Sequence, residues 1–268
     1  MLNEQSNEVT QRAAIGSNTT QIGVQNIYYG LSPQEACNQI IKLFYDNFPK
    51  LEAQAAELVN KRVTELMNEV AKKLEDQQIK DMSPFADPDV QYATYKAQKG
   101  YARFGTKENL KILADLIANR VKLNNAKTLL KVSIDKAIDI APTITTSQLD
   151  GLSLLALTNQ LKLDSINSID ILHNFLIVIS DKFKAADLSL ASTQYLVMVG
   201  AMQFQLHHTY KKLANIYKFG EAQVFNICPQ LISNLNGDYL PSYSGMILGA
   251  INAESKLDFF HMDFDSFF

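Results

Sequence analysis

The chain has 268 residues, of which 47% are hydrophobic and 20% charged, so it can bury a core and is not a disordered protein. Its net charge of −3 is uneven, with 17 basic and 15 acidic residues up to Ile134 and 8 basic and 13 acidic residues from Asp135 on. The acidic second half is a poor surface for nucleic acid, and the nearly neutral first half is no strong one. We therefore do not expect nucleic acid as a partner.

Targeting signals and cysteines indicate the compartment. The two cysteines, Cys37 and Cys228, lie far apart in helical patterns, which suits a reducing environment. The start, Met1–Gln5, lacks the basic segment and apolar run of a signal peptide. The richest apolar run, Tyr195–Met202, is 8 residues long, whereas a membrane span needs about 18. We expect a cytoplasmic protein with no membrane partner.

The amino-terminal leader, residues 1–30, differs from the rest because its segment Ser17–Gly30 carries no charge. Ile22 and Val24 alternate with small or polar residues, and the apolar register continues at Ile27 and Tyr29, which predicts a strand or a hairpin.

An isolated hairpin is marginally stable in water, and the pattern predicts no second strand-rich region in this chain. Three alternatives stay open: a disordered polar tail, pairing with the leader of another copy, and addition to the sheet edge of a partner. For self-pairing, the predicted interface residues are Gln21, Ile22, Val24, Ile27 and Tyr29.

Helix signals begin directly after the leader. Ser32 is a good N-cap, with Pro33 and Glu35 at the first and third helical positions. Pro49 is expected to interrupt or kink the helix, and residues 50–78 then predict a long helix without Gly or Pro.

Within this long helix, Val59, Val63, Leu66 and Val70 recur at spacings of three and four, as in a two-heptad seam. Two alternatives fit the seam. It packs on the chain's own domain, or it packs against a second copy and forms part of an oligomer interface.

The break at 81–88, which contains Pro84 and Pro88, is the best candidate boundary. The rest predicts an all-α fold, an antiparallel multi-helix array with a long N-terminal helix, preceded by the short β-prone leader. The expected domains are the leader at 1–30, the N-terminal and long helices at 31–82, a helical body at 83–256 and a tail at 257–268. The later predicted helices cover 126–141, 147–161, 168–186, 189–206, 209–219, 222–235 and 242–253.

The tail combines phenylalanines with aspartates. A segment of this composition is unfavourable when exposed to water and cannot form a core by itself. Either it folds back onto the body, or it docks on another subunit or partner protein. The possible docking residues are Phe259, Phe260, Phe264, Phe267 and Phe268.

Motifs for chemistry are missing from the sequence. His207 and His208 are adjacent, so on a helix they would diverge, and the chain has no His-Glu-x-x-His motif and no phosphate-binding glycine loop. We expect no catalytic, metal-binding or cofactor-binding residues. A possible ligand site comprises Asp87, Tyr92, Arg103 and Arg120, although helix capping by Asp87 and ordinary ion pairing by the arginines explain these residues equally well.

The leader Asn18–Ala36 resembles the polar leaders that precede helical domains in bacterial conflict and phage-defence proteins. Three further stretches, Phe85–Arg103, Leu113–Arg120 and Ala141–Leu152, resemble an uncharacterised bacterial family of all-helical proteins. The resemblance implies a bacterial cytoplasmic sensor, adaptor or regulator in a defence locus, and it carries over no activity and no catalytic residue.

From these patterns we expect a non-enzymatic helical assembly protein. It would form homo-oligomers through its leader and long helix and engage another protein through its body. The alternative is a ligand-sensing domain or an enzyme whose site is dispersed over the helices near residues 87–120.

Overall fold

The structure is a computed structural model that describes residues 32–123, 128–235 and 237–261. These residues form eleven α-helices, two short 3-10 turns and one two-stranded antiparallel sheet, so the predicted all-α class is confirmed. The leader residues Gln21, Ile22, Val24, Ile27 and Tyr29 and the tail residues Phe264, Phe267 and Phe268 lie outside the described residues.

The elements follow one another in chain order, with the 3-10 turns at Ser83–Ala86 and Ala141–Thr143. The helices are α1 (Pro33–Asp76), α2 (Pro88–Phe104), α3 (Lys107–Lys122), α4 (Leu129–Ile140), α5 (Thr146–Asn159), α6 (Ile169–Lys182), α7 (Leu190–Val199), α8 (Thr209–Tyr217), α9 (Glu221–Ile227), α10 (Pro229–Leu235) and α11 (Tyr243–Lys256). The strands are β1 (Met202–His207) and β2 (Gly237–Pro241).

Two compact units divide the chain, Met1–Ala55 and Ala56–Phe268, and their boundary lies inside α1. The predicted start of α1 is confirmed, because the Ser32 amide donates to Glu35 Oε2 at 2.8 Å and the Glu35 amide donates to Ser32 Oγ at 3.3 Å. The Ser32 hydroxyl also donates to Glu35 Oε2 at 2.7 Å, and this bond together with the one from the Ser32 amide holds the pKa of Glu35 below its usual value.

The expected interruption at Pro49 is wrong, because α1 is continuous from Pro33 to Asp76. A proline inside a helix removes one backbone hydrogen bond and costs about 3 kcal/mol, but its fixed φ is compatible with the helix. All eight residues from 51 to 58 are Leu, Glu, Ala or Gln, which favour helix.

The core of the larger unit centres on α5, which buries every residue from Gln148 to Asn159. Its main neighbour is α11. The two helices approach so closely that a Cβ on Gly249 would lie 2.6 Å from the Leu152 carbonyl oxygen, and Ser153 Oγ donates to the Gly249 carbonyl at 2.8 Å. Only glycine allows this backbone contact between the two central helices.

The predicted helix over 189–206 is wrong in its second half. The first part, α7, ends at Gly200, which adopts a left-handed φ of +86°. Ser242, the N-cap of α11, then donates its hydroxyl to the Gly200 carbonyl at 2.7 Å and its amide to the Ala201 carbonyl at 2.9 Å. These bonds fix the end of α7, and the alternating residues that follow form β1 instead.

The sheet is a ribbon in which β2 packs against α5 and α11. Phe204 pairs with Tyr239 across it, and a register shift follows before His207 pairs with Gly237. The expectation that the chain has no second strand-rich region is therefore wrong.

Helices α2, α3 and α4 pack against one another in the same unit. Their N-caps are Asp87, Thr106 and Thr128, whose side chains each accept a backbone amide of the first turn, so the capping alternative for Asp87 is confirmed. Within the residues that the structure describes, no helix is both long enough and apolar enough to cross a membrane.

Candidate functional site

The first half of α1 carries an exposed apolar stripe, which is our candidate functional site. Ile41, Leu51 and Leu58 have exposed fractions of 53%, 53% and 47%, and Phe48 is also exposed. The described side chains of residues 33–60 are exposed, except for those of Gln39 and Leu43, which are partly exposed.

The stripe follows a heptad spacing. In the sequence, positions 41, 48 and 55 alternate with 44, 51 and 58 at intervals of three and four residues, which are the a and d positions of a coiled coil. Pro49 and Ala53 lie two residues on either side of Leu51, so each is about 200° around the helix from it. The proline therefore lies away from the apolar stripe, and the stripe is not interrupted by it.

The four residues of the predicted seam lie further along the same helix and are mostly less exposed than the stripe. Leu66 and Val70 are buried in the core of the chain's own larger unit, Val63 is partly buried and Val59 is exposed. For Leu66 and Val70 the structure therefore supports the alternative of packing within the chain. Of the four seam residues, Val59 is the one that lies beside the exposed stripe.

The predicted ligand residue Arg120 is the buried centre of a charge cluster whose carboxylates are partly exposed. Its side chain is 1% exposed, and its guanidinium donates to Asp89 Oδ2 and to Asp135 Oδ1, each at 2.8 Å. Lys131 adds a 2.7 Å ion pair to the same Asp89 oxygen. The cluster joins α2, α3 and α4, and the guanidinium is occupied by its own partners.

The pKa values of the two carboxyl groups in this cluster are shifted in opposite directions. The hydrogen bond from Lys131 holds the pKa of Asp89 below its usual value. Burial raises the pKa of Asp135, against the lowering effect of Arg120. The difference follows from exposure, because the Asp89 side chain is half exposed and that of Asp135 is less so.

The other predicted ligand residues separate into two places. Tyr92 and Arg103 line one groove of about 280 Å³, together with Lys96 and residues of α4. Arg103 stacks on Phe104 with its guanidinium carbon 4.9 Å from the ring centre. Asp87 instead caps α2 by accepting the Asp89 amide at 2.8 Å, so the four residues do not form one site.

The described part of the tail is divided between core and surface. Phe260 is buried in the core, which supports the fold-back alternative for this residue. Phe259 is 55% exposed and packs edge-on against Phe175, with ring centres 6.4 Å apart.

Sequence reasoning missed a cavity of about 590 Å³ between α1, α3 and α11. Its α3 wall contains Lys111, Asp115, Asn119 and Lys122, whose spacings of three and four place them on one helix face. This run of polar residues on one helix face could have indicated the cavity wall from the sequence. Among the residues described here, no group of three or more His, Cys, Asp or Glu side chains could hold a metal ion.

The comparisons with known proteins concern the family alone. No curated protein and no solved structure matches this chain. A family model, described only as ":-like", matches residues 30–266, which include every described helix and exclude nearly all of the leader. The chain therefore belongs to this uncharacterised family.

Proposed function

We propose that the protein is a non-enzymatic helical assembly protein, in which the exposed stripe of α1 packs against the same stripe of a second copy. The observation that carries the proposal is the exposure of Ile41, Leu51 and Leu58 at heptad spacing on one continuous helix. Such a stripe in a helix is the pattern by which two helices bury their apolar side chains against each other.

The free energy gained by burying the stripe is too small to hold a tight dimer by itself. Burying the exposed half of one large apolar side chain contributes about 1 kcal/mol, so two copies of the stripe supply on the order of 8 kcal/mol. Association costs about 4–15 kcal/mol in lost freedom. The stripe alone thus supports a weak dimer, and in our proposal the leader residues Gln21, Ile22, Val24, Ile27 and Tyr29 supply the rest.

The cellular role extends the same proposal. The resemblance of Asn18–Ala36 to the leaders of bacterial defence proteins supports an adaptor, sensor or regulator that acts in the cytoplasm. The resemblance of Phe85–Arg103 to a bacterial all-helical family supports the bacterial setting of that role. The exposed ring of Phe259 supports a second contact, in which the tail docks on another protein.

The test is the native mass of the full chain by light scattering over a range of concentrations. We expect wild type to form an oligomer. The double variant Leu51→Glu/Leu58→Glu should dissociate to monomer at a protein concentration at least tenfold higher than wild type does. Ala53→Glu/Asn60→Glu is the matched control, because these exposed residues lie on the opposite face of the same turns. A monomeric wild type, or an equal effect of the control, would overturn the proposal.

The alternative function, a ligand-sensing domain or enzyme near residues 87–120, has weaker support. Arg120 is already paired with Asp89 and Asp135, and Asp87 is used as a helix cap. The groove lined by Tyr92 and Arg103 is the part of that alternative that the geometry still favours.

A further inference from the structure

Strand β1 exposes its middle residues on both faces. Residues 203–206 are all exposed, and Phe204 and Leu206 have exposed fractions of 68% and 71%. The other strand, β2, buries Leu240 and Pro241. In the part of the chain that the structure describes, the sheet contains these two strands, so the edge of β1 that faces away from β2 has no third strand beside it.

The pairing of β1 with β2 identifies the backbone groups on that free edge. The Ser242 amide donates to the Ala201 carbonyl at 2.9 Å, so these residues form a hydrogen-bonded pair at the start of the ladder. Hydrogen-bonded and non-hydrogen-bonded pairs alternate along an antiparallel ladder. Phe204, three positions after Ala201, therefore forms a non-hydrogen-bonded pair with Tyr239, and its amide and carbonyl point away from β2. Among the backbone hydrogen bonds that described residues form outside the sheet, none involves Phe204.

This edge lacks the usual protection against pairing with another chain. Exposed edge strands of soluble proteins commonly carry a charged residue, often lysine, or a proline. The stretch Met202–Leu206 contains none of these. Two identical strands that paired here would therefore bring no like charges together, which would otherwise destabilise the pair.

The same stretch is self-complementary. Its sequence, Met-Gln-Phe-Gln-Leu, reads apolar, amide, aromatic, amide, apolar in both directions. Antiparallel pairing about a twofold axis at Phe204 puts each residue opposite one of its own kind: Phe204 opposite Phe204, Gln203 opposite Gln205, and Met202 opposite Leu206. A twofold interface requires such a surface, since both copies contribute the same residues to it.

We infer that the free edge of β1 binds the free edge of β1 in a second copy, antiparallel and centred on Phe204, so that the two ribbons form one four-stranded sheet. A second copy fits this edge because the order of side chains matches itself and offers no charge to a charged partner strand. The register shift between Phe204 and His207 limits the regular pairing to this short stretch, so the contact is weak. It uses a different surface from the stripe of α1 and does not depend on the proposed function.

The test is disulfide trapping between two versions of the full chain, in which Cys37→Ser and Cys228→Ser remove the native cysteines. One version carries Gln203→Cys and the other carries Gln205→Cys. In the inferred register these positions lie opposite each other, with Cα atoms about 4.5 Å apart, a distance that a disulfide bridges. Each position lies about 8 Å from its own counterpart, which is too far for a disulfide.

We expect mild oxidation of the equimolar mixture to give at least fivefold more disulfide-linked dimer than oxidation of either version alone. Phe204→Glu, added to both versions, places like charges at the twofold axis and should lower that yield at least fivefold. Ile177→Glu is the matched control, because it adds the same charge at an apolar residue of α6 that is 51% exposed, and it should leave the yield unchanged. A thermal melt of each variant checks that it is folded.

Three results would each overturn the inference: no dimer in the mixture, equal yields from the mixture and from either version alone, or an effect of Ile177→Glu as large as that of Phe204→Glu. The inference and the proposed function can fail separately, because native mass of the Leu51→Glu/Leu58→Glu variant tests the stripe of α1 and disulfide trapping tests the edge of β1.

Discussion

Asn252 donates its side-chain amide to Asp150 Oδ1 at 2.9 Å and to Ser153 Oγ at 2.8 Å, and so joins α11 to α5 inside the core. Lys256 donates to the same Asp150 oxygen, and its ammonium lies 5.6 Å from the centre of the Phe183 ring. A carboxylate that is 4% exposed thus has both an amide and an ammonium as partners. Buried charge is tolerated only with such partners.

The first prediction concerns Asn252. Asn252→Ala removes two buried hydrogen bonds and leaves Asp150 with fewer donors, so we expect a loss of about 2–3 kcal/mol in the free energy of unfolding. Urea denaturation measures it. Ser255→Ala is the control, because its hydroxyl is on an exposed residue and donates to the Asn252 carbonyl, and the change should cost less than about 1 kcal/mol. Equal losses in both variants would contradict the central role of the Asn252 amide.

The second prediction concerns Gly245, the glycine of α11 that contacts the end of α7. A Cβ at this position would lie 1.8 Å from the Ala201 carbonyl oxygen, so Gly245→Ala forces the backbone apart and should cost about 3 kcal/mol or more. The melting temperature and urea midpoint both report the loss.

Gly237→Ala is the matched control for this change. Its added Cβ would meet its nearest neighbour, His207 Cε1, at 3.8 Å, an ordinary contact. We expect a change within about 1 kcal/mol, because the alanine also restricts the unfolded chain. A stable Gly245→Ala variant would mean that α11 and the α7–β1 junction are further apart than described.

The third prediction is a pH dependence with opposite signs at two aspartates. Burial raises the pKa of Asp115 above its ordinary value of 3.8, so the folded state binds this proton more tightly than the unfolded chain does. Its stabilising contribution is present below 3.8 and is lost as the pH rises through the raised pKa. Wild type should therefore lose stability relative to Asp115→Asn as the pH increases.

Asp89 supplies the opposite case, because the Lys131 hydrogen bond lowers its pKa from 3.8. Its contribution is present above 3.8 and is lost as the pH falls through the lowered pKa, so wild type should gain stability relative to Asp89→Asn as the pH increases. Urea midpoints of the three proteins between about pH 3 and 7 test both signs. The same slope for both variants would contradict the assignment.

Local sequence signals predicted most of the helices. The element that they missed, strand β1, is determined by tertiary contacts. The caps Ser32 and Asp87 could be predicted because each accepts an amide only two or three residues further along the chain, a pattern that the sequence shows directly. The strand β1 could not be predicted in this way. Its start depends on Ser242, which lies 42 residues from its partner Gly200.

The sequence predicted an apolar stripe on the long helix, but at 59–70 rather than at 41–58. Both stripes of α1 have the same spacing, one at 41–58 and the other at 59–70, so spacing alone could not tell which of them the core covers. Ion pairing was the simpler interpretation of Arg120, and the structure supports it through Asp89 and Asp135. The cavity depends on three helices that are distant in sequence, and its lining could not be derived from one of them.

The pairing of α5 with α11 affects how this chain can be made. The bonded residues Ser153 and Gly249 are 96 positions apart, so during synthesis α5 emerges long before its main neighbour. At a translation rate of about 5–20 residues per second, an apolar segment that ends up fully covered waits on the order of 5–20 seconds in an incomplete chain. Nascent chains stalled before residue 243 should therefore be captured by ribosome-associated chaperones, and release beyond residue 256 should end that capture.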